Sequence, residues 1–148
     1  MQERLAHARA TGNEFVVFVE SANLSMVERQ LGHLDEAEAL SLDALRISVA
    51  KRDNMAIPWT INGLAAVTAA QGRLERAATL IGIAESLLAT AGGEWPPDER
   101  EQFEGTVALL SAGLLASDLE RLRAAGAAMD FDEAVAFAKA DQAPSGRS

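Results

Sequence analysis

The sequence predicts an all-α domain in which seven or eight helices pair into hairpins and stack as a solenoid. Three observations support this prediction. The 148 residues include 30 alanines and 18 leucines but only 4 prolines and no tyrosine, and alanine and leucine are the strongest helix formers. Glycine and proline divide the chain into segments of about 10–18 residues, which is ordinary helix length. An internal repeat with a period of 40 residues completes the pattern.

The first elements are ambiguous at one point. Residues 1–13 are expected to form the end of a helix from a preceding repeat. Residues 15–19 are an unbroken apolar run with high strand propensity, but no other segment would supply a partner strand. We therefore predict that the run opens a buried helix over about 14–31. This helix and the one that follows Gly32 make a first hairpin, residues 14–53.

The second hairpin is predicted over residues 54–93. Its first helix, residues 55–71, contains Pro58 close to its start, where a proline costs little. Its second helix shows apolar residues at i, i+3, i+4 and i+7 over 77–91, the pattern of an amphipathic helix with one buried face.

The remaining residues predict a set of capping helices over 94–141. Pro96 and Pro97 stop the preceding element, and the acidic residues after them suit the positive end of a new helix dipole. Capping boxes that begin at Ser117 and Asp130 predict two further helix starts. Residues 142–148 have the composition of a disordered tail.

The repeat relates residues 27–53 to residues 67–93. In each copy a glycine permits a tight turn, a leucine two positions later closes the corner of the hairpin, and small alanines allow the second helix to approach the first. The matching pairs are Val27 and Val67, Gly32 and Gly72, Leu34 and Leu74, Ala37 and Ala77, Leu40 and Leu80, and Ala44 and Ala84. A fixed period of this size is typical of stacked helical hairpins.

The strings QLGHLDEAEALSLDAL and AQGRLERAATLIGIAESL resemble tetratricopeptide (TPR) repeats. The glycine, the apolar residue two positions on and the two alanines seven positions apart are signature positions of that family. The period here is 40 rather than 34, the aromatic positions of the first helix are missing, and Ser25 or Ala65 stands where that helix usually has glycine. The resemblance implies a right-handed TPR-like solenoid with longer helices than a standard repeat.

A narrower resemblance covers about residues 55–140. The string INGLAAVTAAQGRLERAATLIGIAESLLATAGGEWPPDEREQFEG and the later DEAVAFA are similar to the C-terminal repeats of bacterial LuxR- or AfsR-type ATPase regulators and their cyclase-linked relatives. This resemblance implies a cytoplasmic region of a large signalling or transcriptional regulator that senses or docks something. The phosphate-binding motif of such an ATPase does not occur in this chain.

Composition argues against several kinds of function. The formal charge is −9, from 13 basic and 22 acidic residues, which disfavours direct binding to nucleic acid or to an anionic membrane. The chain has no cysteine and only two histidines, and His33 is expected to be an exposed turn residue. No catalytic motif occurs, and carboxylates at helix starts complement the helix dipole. We therefore expect no enzyme activity, no metal and no cofactor.

Counting back from Gly72 predicts which residues of the first helices face the inner groove of the solenoid. The predicted groove residues are Val19, Ala22, Met26, Arg29, Trp59, Asn62, Ala66 and Ala69. This surface is mostly apolar with one positive charge, so it lacks the cluster of Lys, Arg and Asn with which TPR proteins hold the acidic tails of chaperones. We expect an apolar helix or peptide from a protein partner, or from another domain of the same chain. The alternative is a small molecule near Trp59, and whether Trp59 is an anchor or plain packing is left open.

The N-terminal end generates a first testable prediction. Terminal repeats of a solenoid need polar caps, and residues 2–11 would cover residues 15–19 on one side only. We predict either further repeats upstream or a homodimer through this end. Size-exclusion chromatography with light scattering measures the mass in solution, and a monomer with no exposed apolar patch would contradict the prediction.

Overall fold

The computed structural model describes residues 2–140, and within this range the chain forms eight α-helices and no strand. The helices are α1 (Gln2–Thr11), α2 (Glu14–Gln30), α3 (Leu34–Ala50), α4 (Ala56–Ala70), α5 (Leu74–Thr90), α6 (Pro97–Gly113), α7 (Ala116–Ala127) and α8 (Phe131–Lys139). The all-α prediction is confirmed, while the hand of the solenoid stays a prediction. The tail predicted over 142–148 lies outside the described residues.

Five turns that follow helices α1 to α5 share one backbone geometry. In the turn after α2, Gly32 donates its N–H to the carbonyl of Arg29 (3.1 Å) and His33 donates to the carbonyl of Glu28 (2.8 Å). This pair of bonds satisfies the last carbonyls of the helix and requires one residue with positive φ. Such residues occur at positions 12, 32, 52, 72 and 92, and each is glycine except Arg52 (φ 55°).

The core lies around α4, which packs against α3, α5 and α6. Twelve of its fifteen residues are buried, because neighbouring helices cover it on several sides. Pro58 is the third residue of this helix, so its position in the first turn is confirmed. The fully buried large side chains of the core are Leu45, Ile57, Ile61, Leu64, Leu80, Ile81, Ile83 and Leu110.

The last three helices do not continue the hairpin pattern. Leu114 and Leu115 have extended backbone angles between α6 and α7, in place of the glycine turn that closes the earlier hairpins. As a result α7 packs mainly against α5 and makes little contact with α6. The short α8 contacts α3 and α5. The guanidinium of Arg76 on α5 lies 4.2 Å above the ring of Phe137 on α8.

Of the two predicted capping boxes, one is correct and one is wrong. Asp130 accepts a hydrogen bond from the backbone N–H of Glu133 (2.8 Å), and the Glu133 carboxylate accepts one from the N–H of Asp130 (3.0 Å). Ser117, in contrast, is not a cap, because α7 begins at Ala116 with Leu115 as its N-cap residue. The extended connection through Leu115 sets the start of the helix, and Ser117 falls inside its first turn.

The start of α2 is less covered than expected. Residues 15–19 are helical as predicted, but Phe15 is 71% exposed and the next four side chains are half-buried. The short α1 buries only Leu5 and Ala8, and its Arg4 reaches Glu20 on one side of α2 (3.2 Å). The expectation of a buried helix start is therefore wrong at Phe15, because α1 leaves that side open.

Two glycines allow the close approach of α5 and α7. A methyl group at Gly126 would overlap the carbonyl oxygen of Thr79, and one at Gly82 would overlap the carbonyl oxygen of Arg123. In both cases the obstacle is backbone, which cannot rotate out of the way as a side chain can. The two helices therefore pack at a distance that only glycine permits.

We predict that Gly126→Ala destabilises the protein by about 1–3 kcal/mol, the usual cost of overpacking. Gly105→Ala is the matched control, because Gly105 lies inside α6 with no atom within 4 Å of the added methyl group. A helix-interior glycine costs about 0.5–1 kcal/mol relative to alanine, so the control should be more stable than the parent. Urea unfolding measures both variants, and a Gly126→Ala protein as stable as the parent would show that the contact is not tight.

Candidate functional site

The predicted groove residues lie on α2 and α4, and α6 packs beside them in the folded chain. α2 carries four of them and α4 carries the other four, at spacings of three or four residues that place each set on one helix face. Both α2 and α6 pack against α4. The three helices line two adjoining pockets, α4 contributes residues to both, and α3 adds Ser41 and Ala44 to the first.

The first pocket has a volume of about 160 Å³ and a mainly apolar wall. Four of the predicted residues line it, namely Val19, Ala22, Met26 and Trp59. Phe18 adds a second aromatic ring from α2, and α6 contributes Glu99 and Gln102. The pocket is therefore a mainly apolar recess, with Glu99 and Gln102 among its polar lining residues.

The second pocket has a volume of about 340 Å³ and a more polar wall. It contains the predicted residues Arg29, Ala66 and Ala69, and it shares Met26 and Gln102 with the first pocket. Because two side chains belong to both walls, the pockets are neighbouring parts of one groove. α6 supplies Asp98 and Glu101 to its far side.

Asn62 is the one predicted groove residue that lines neither pocket. It is fully buried, and its amide nitrogen donates to the backbone carbonyl and to a carboxylate oxygen of Glu99, both at 3.0 Å. Asn62 therefore holds the first turn of α6 onto α4. It thus positions α6 beside the groove and is not itself exposed to a ligand there.

A chain of polar side chains continues from Asn62 across the groove. Gln102 donates to the Glu99 carboxylate (3.3 Å), and Arg29 donates to the side-chain oxygen of Gln102 (3.4 Å). Burial raises the pKa of Glu99, although the hydrogen bonds from Asn62 and Gln102 oppose that rise. Burial also lowers the pKa of Arg29. The chain links α2, α4 and α6 where the two pockets meet.

Some polar atoms in these walls have no partner among the described residues. The indole N–H of Trp59, the Nε of Arg29 and the side-chain oxygen of Asn62 are all buried without a hydrogen bond in that part of the chain. Buried polar groups are normally paired. Two of these atoms, on Trp59 and Arg29, belong to residues that line the pockets, and both are unused donors with almost no exposure to solvent.

The sequence reasoning missed the contribution of α6. The residues after Pro97 are predicted from the sequence to form a cap, which leaves the groove nearly neutral. In the structure, α6 adds Asp98, Glu99 and Glu101 to the walls of the groove. A usable signal was present in the sequence. Gly92 lies two 40-residue periods after Gly12, the glycine that precedes α2, which indicates that the next helix takes a place equivalent to those of α2 and α4.

Three other features that can indicate function are a titratable histidine, a cluster of metal ligands and a membrane-spanning helix. His33 is exposed in its turn as expected, and it lies 2.9 Å from Glu28, which raises the pKa of its imidazole. Within residues 2–140, His, Asp and Glu side chains form no group of three that could hold a metal ion. In the same part of the chain, no helix combines the length and apolar character needed to cross a bilayer.

Comparison of the chain with protein-family models, with curated proteins and with solved structures found no match.

The half-buried carboxylate of Glu99 generates a prediction about pH. Because burial raises its pKa above the ordinary 4.5, the folded protein binds this proton more tightly than the unfolded chain does, and the contribution of Glu99 to stability falls as the pH rises through the raised pKa. Glu99→Gln keeps an oxygen that accepts from Asn62 and Gln102 and removes the charge. We expect an equal or higher melting temperature than the parent at pH 7 and a smaller difference at pH 4, at about 2–4 °C for each kcal/mol.

Glu104→Gln is the control for this prediction, because Glu104 is an exposed residue of the same helix. It should change the melting temperature little at either pH. A Glu99→Gln variant that is destabilised equally at both pH values would show that the charge of Glu99 is well accommodated.

Proposed function

We propose that this protein is a non-catalytic, TPR-like interaction module that binds a segment of another protein, or of another domain of its own chain. The proposed site is the groove between α2, α4 and α6. The observation that carries the proposal is the apolar pocket of about 160 Å³ beside Trp59 and Met26, which joins a more polar pocket on the same face. A bound peptide would place one side chain in the apolar pocket and continue along the more polar pocket beside it.

The size of the first pocket favours a peptide side chain over a small molecule. An engineered cavity of about 150 Å³ holds one benzene ring, whereas sites for drug-sized ligands have about 300–1,000 Å³. The pocket therefore matches a single phenylalanine or leucine side chain. The second pocket is larger, about 340 Å³, but its wall is more polar and it opens beside the first. Sensing of a small molecule near Trp59 is the alternative.

A regulatory context in a bacterial signalling or transcriptional regulator is the second part of the proposal. Its support is the resemblance of residues 55–140 to the repeat regions of such regulators, and the comparisons add nothing to it. The genomic sequence upstream of Met1 tests this part, because an in-frame ATPase module there is the expected neighbour. An upstream sequence that encodes an unrelated protein would count against it.

We predict that a library of short displayed peptides selected on the 148-residue chain yields binders that occupy the groove. Met26→Lys should abolish their binding, because it places a charged side chain in the wall that both pockets share. Ala125→Lys is the matched control on the exposed surface of α7 and should bind as the parent does. Circular dichroism checks that both variants are folded.

The tryptophan signal gives a second readout of the same experiment. Trp95 packs against Phe103 with ring centroids 5.3 Å apart, so a Trp95→Phe background leaves Trp59 as the single emitter. Peptide binding should then shift the emission of Trp59. If no peptide is enriched, or if the selected peptides bind Met26→Lys and the parent equally well, the proposed function is wrong.

A further inference from the structure

The charges of the groove walls carry an inference about the chemistry of the partner, which rests on the proposed function. Asp98, Glu101 and Gln102 occupy positions of α6 at spacings of three and four, so they share the face that lines the second pocket. Glu99 lines the first pocket. Against these three carboxylates the two pockets contain one cationic side chain, Arg29.

Among the described residues, no cationic side chain lies within ion-pair distance of these carboxylates. None of the ion pairs formed within residues 2–140 includes Asp98, Glu99 or Glu101. Arg29 donates to the neutral amide of Gln102 instead. The groove therefore presents net negative charge next to an apolar recess, and complementary charge across an interface favours the partner that supplies the opposite sign.

The spacing between the two pockets limits the partner further. Trp59 lines the first pocket and Ala66 lines the second, seven positions later on the same helix. Seven residues of α-helix rise by about 10 Å. An extended peptide covers that distance in about three residues, at roughly 3.3 Å each.

We propose that the groove binds a basic peptide segment that places one apolar side chain, such as phenylalanine or leucine, in the pocket beside Trp59. A Lys or Arg about three residues away then lies in the second pocket, whose wall carries Asp98 and Glu101. The apolar side chain supplies most of the contact area, and the cation sets the preference among partners.

The first test is the composition of the peptides selected on the full chain. We expect enrichment of Lys or Arg about three positions from a phenylalanine or leucine. Enrichment of apolar residues with no preference for basic ones, or with a preference for acidic ones, would overturn the inference and leave the proposed function standing. Failure to enrich any peptide would overturn both.

The second test measures the affinity of one selected basic peptide by fluorescence anisotropy. Neutralising both carboxylates with Asp98→Asn and Glu101→Gln should weaken binding about twofold to thirtyfold, since each of two exposed ion pairs contributes about 0.2–1 kcal/mol and about 1.4 kcal/mol is tenfold. It should also reduce the sensitivity of binding to salt. Glu104→Gln is the matched control, because Glu104 is an exposed acid of α6 that lines neither pocket.

Arg29→Gln should change the affinity for the basic peptide in the opposite direction. It therefore distinguishes an effect of charge from general damage to the groove. Removing the one cation of the walls should strengthen binding of the basic peptide. Equal affinity for the parent, for the Asp98→Asn, Glu101→Gln double variant and for Arg29→Gln would overturn the inference.

Discussion

The left-handed backbone position that closes each of the first five helices sets the geometry of the rest of the molecule. These positions recur at 12, 32, 52, 72 and 92, so each helix and its turn together span 20 residues. The helices α2, α3 and α5 consequently have 17 residues each. Because successive helices have matched lengths and matched turns, α2 and α4 present equivalent faces to the same side, and the groove forms between them. Arg52 adopts this conformation without being glycine, since the turn hydrogen bonds are the same there.

The groove depends equally on where the repetition stops. α6 begins in step with the earlier helices and packs on α4, but the extended connection at Leu114 and Leu115 sends α7 onto α5 instead. The close contact through Gly82 and Gly126 then fixes α7 in place. As a result α6 is held mainly by α4, and Asn62 provides the hydrogen bonds that fasten its first turn. The polar wall of the groove is therefore built by a helix that lacks the usual hairpin partner.

The sequence was most informative where the repeat is regular. The glycine turns at 32 and 72 and the helical assignment of residues 15–19 were predicted correctly, because turn chemistry and the lack of a partner strand are local or compositional arguments. The start of α7 was predicted wrongly at Ser117, since the extended backbone at Leu115 depends on tertiary packing. Seven of the eight predicted groove residues line the two pockets, as helical spacing alone determines which residues share a face. Asn62 and the carboxylates of α6 required the position of a third helix, which the repeat alignment of two hairpins does not contain.

The burial of α4 has a consequence for how the binding preference could change during evolution. Ala66 and Ala69 form part of the groove but are almost entirely buried, so a larger side chain there would disturb the core as well as the groove. The wall residues on α2 and α6, such as Met26 and Glu101, are more exposed and carry less of the fold. Under the proposed function, substitutions that alter partner choice are thus expected on the two walls, while the buried floor on α4 stays constant.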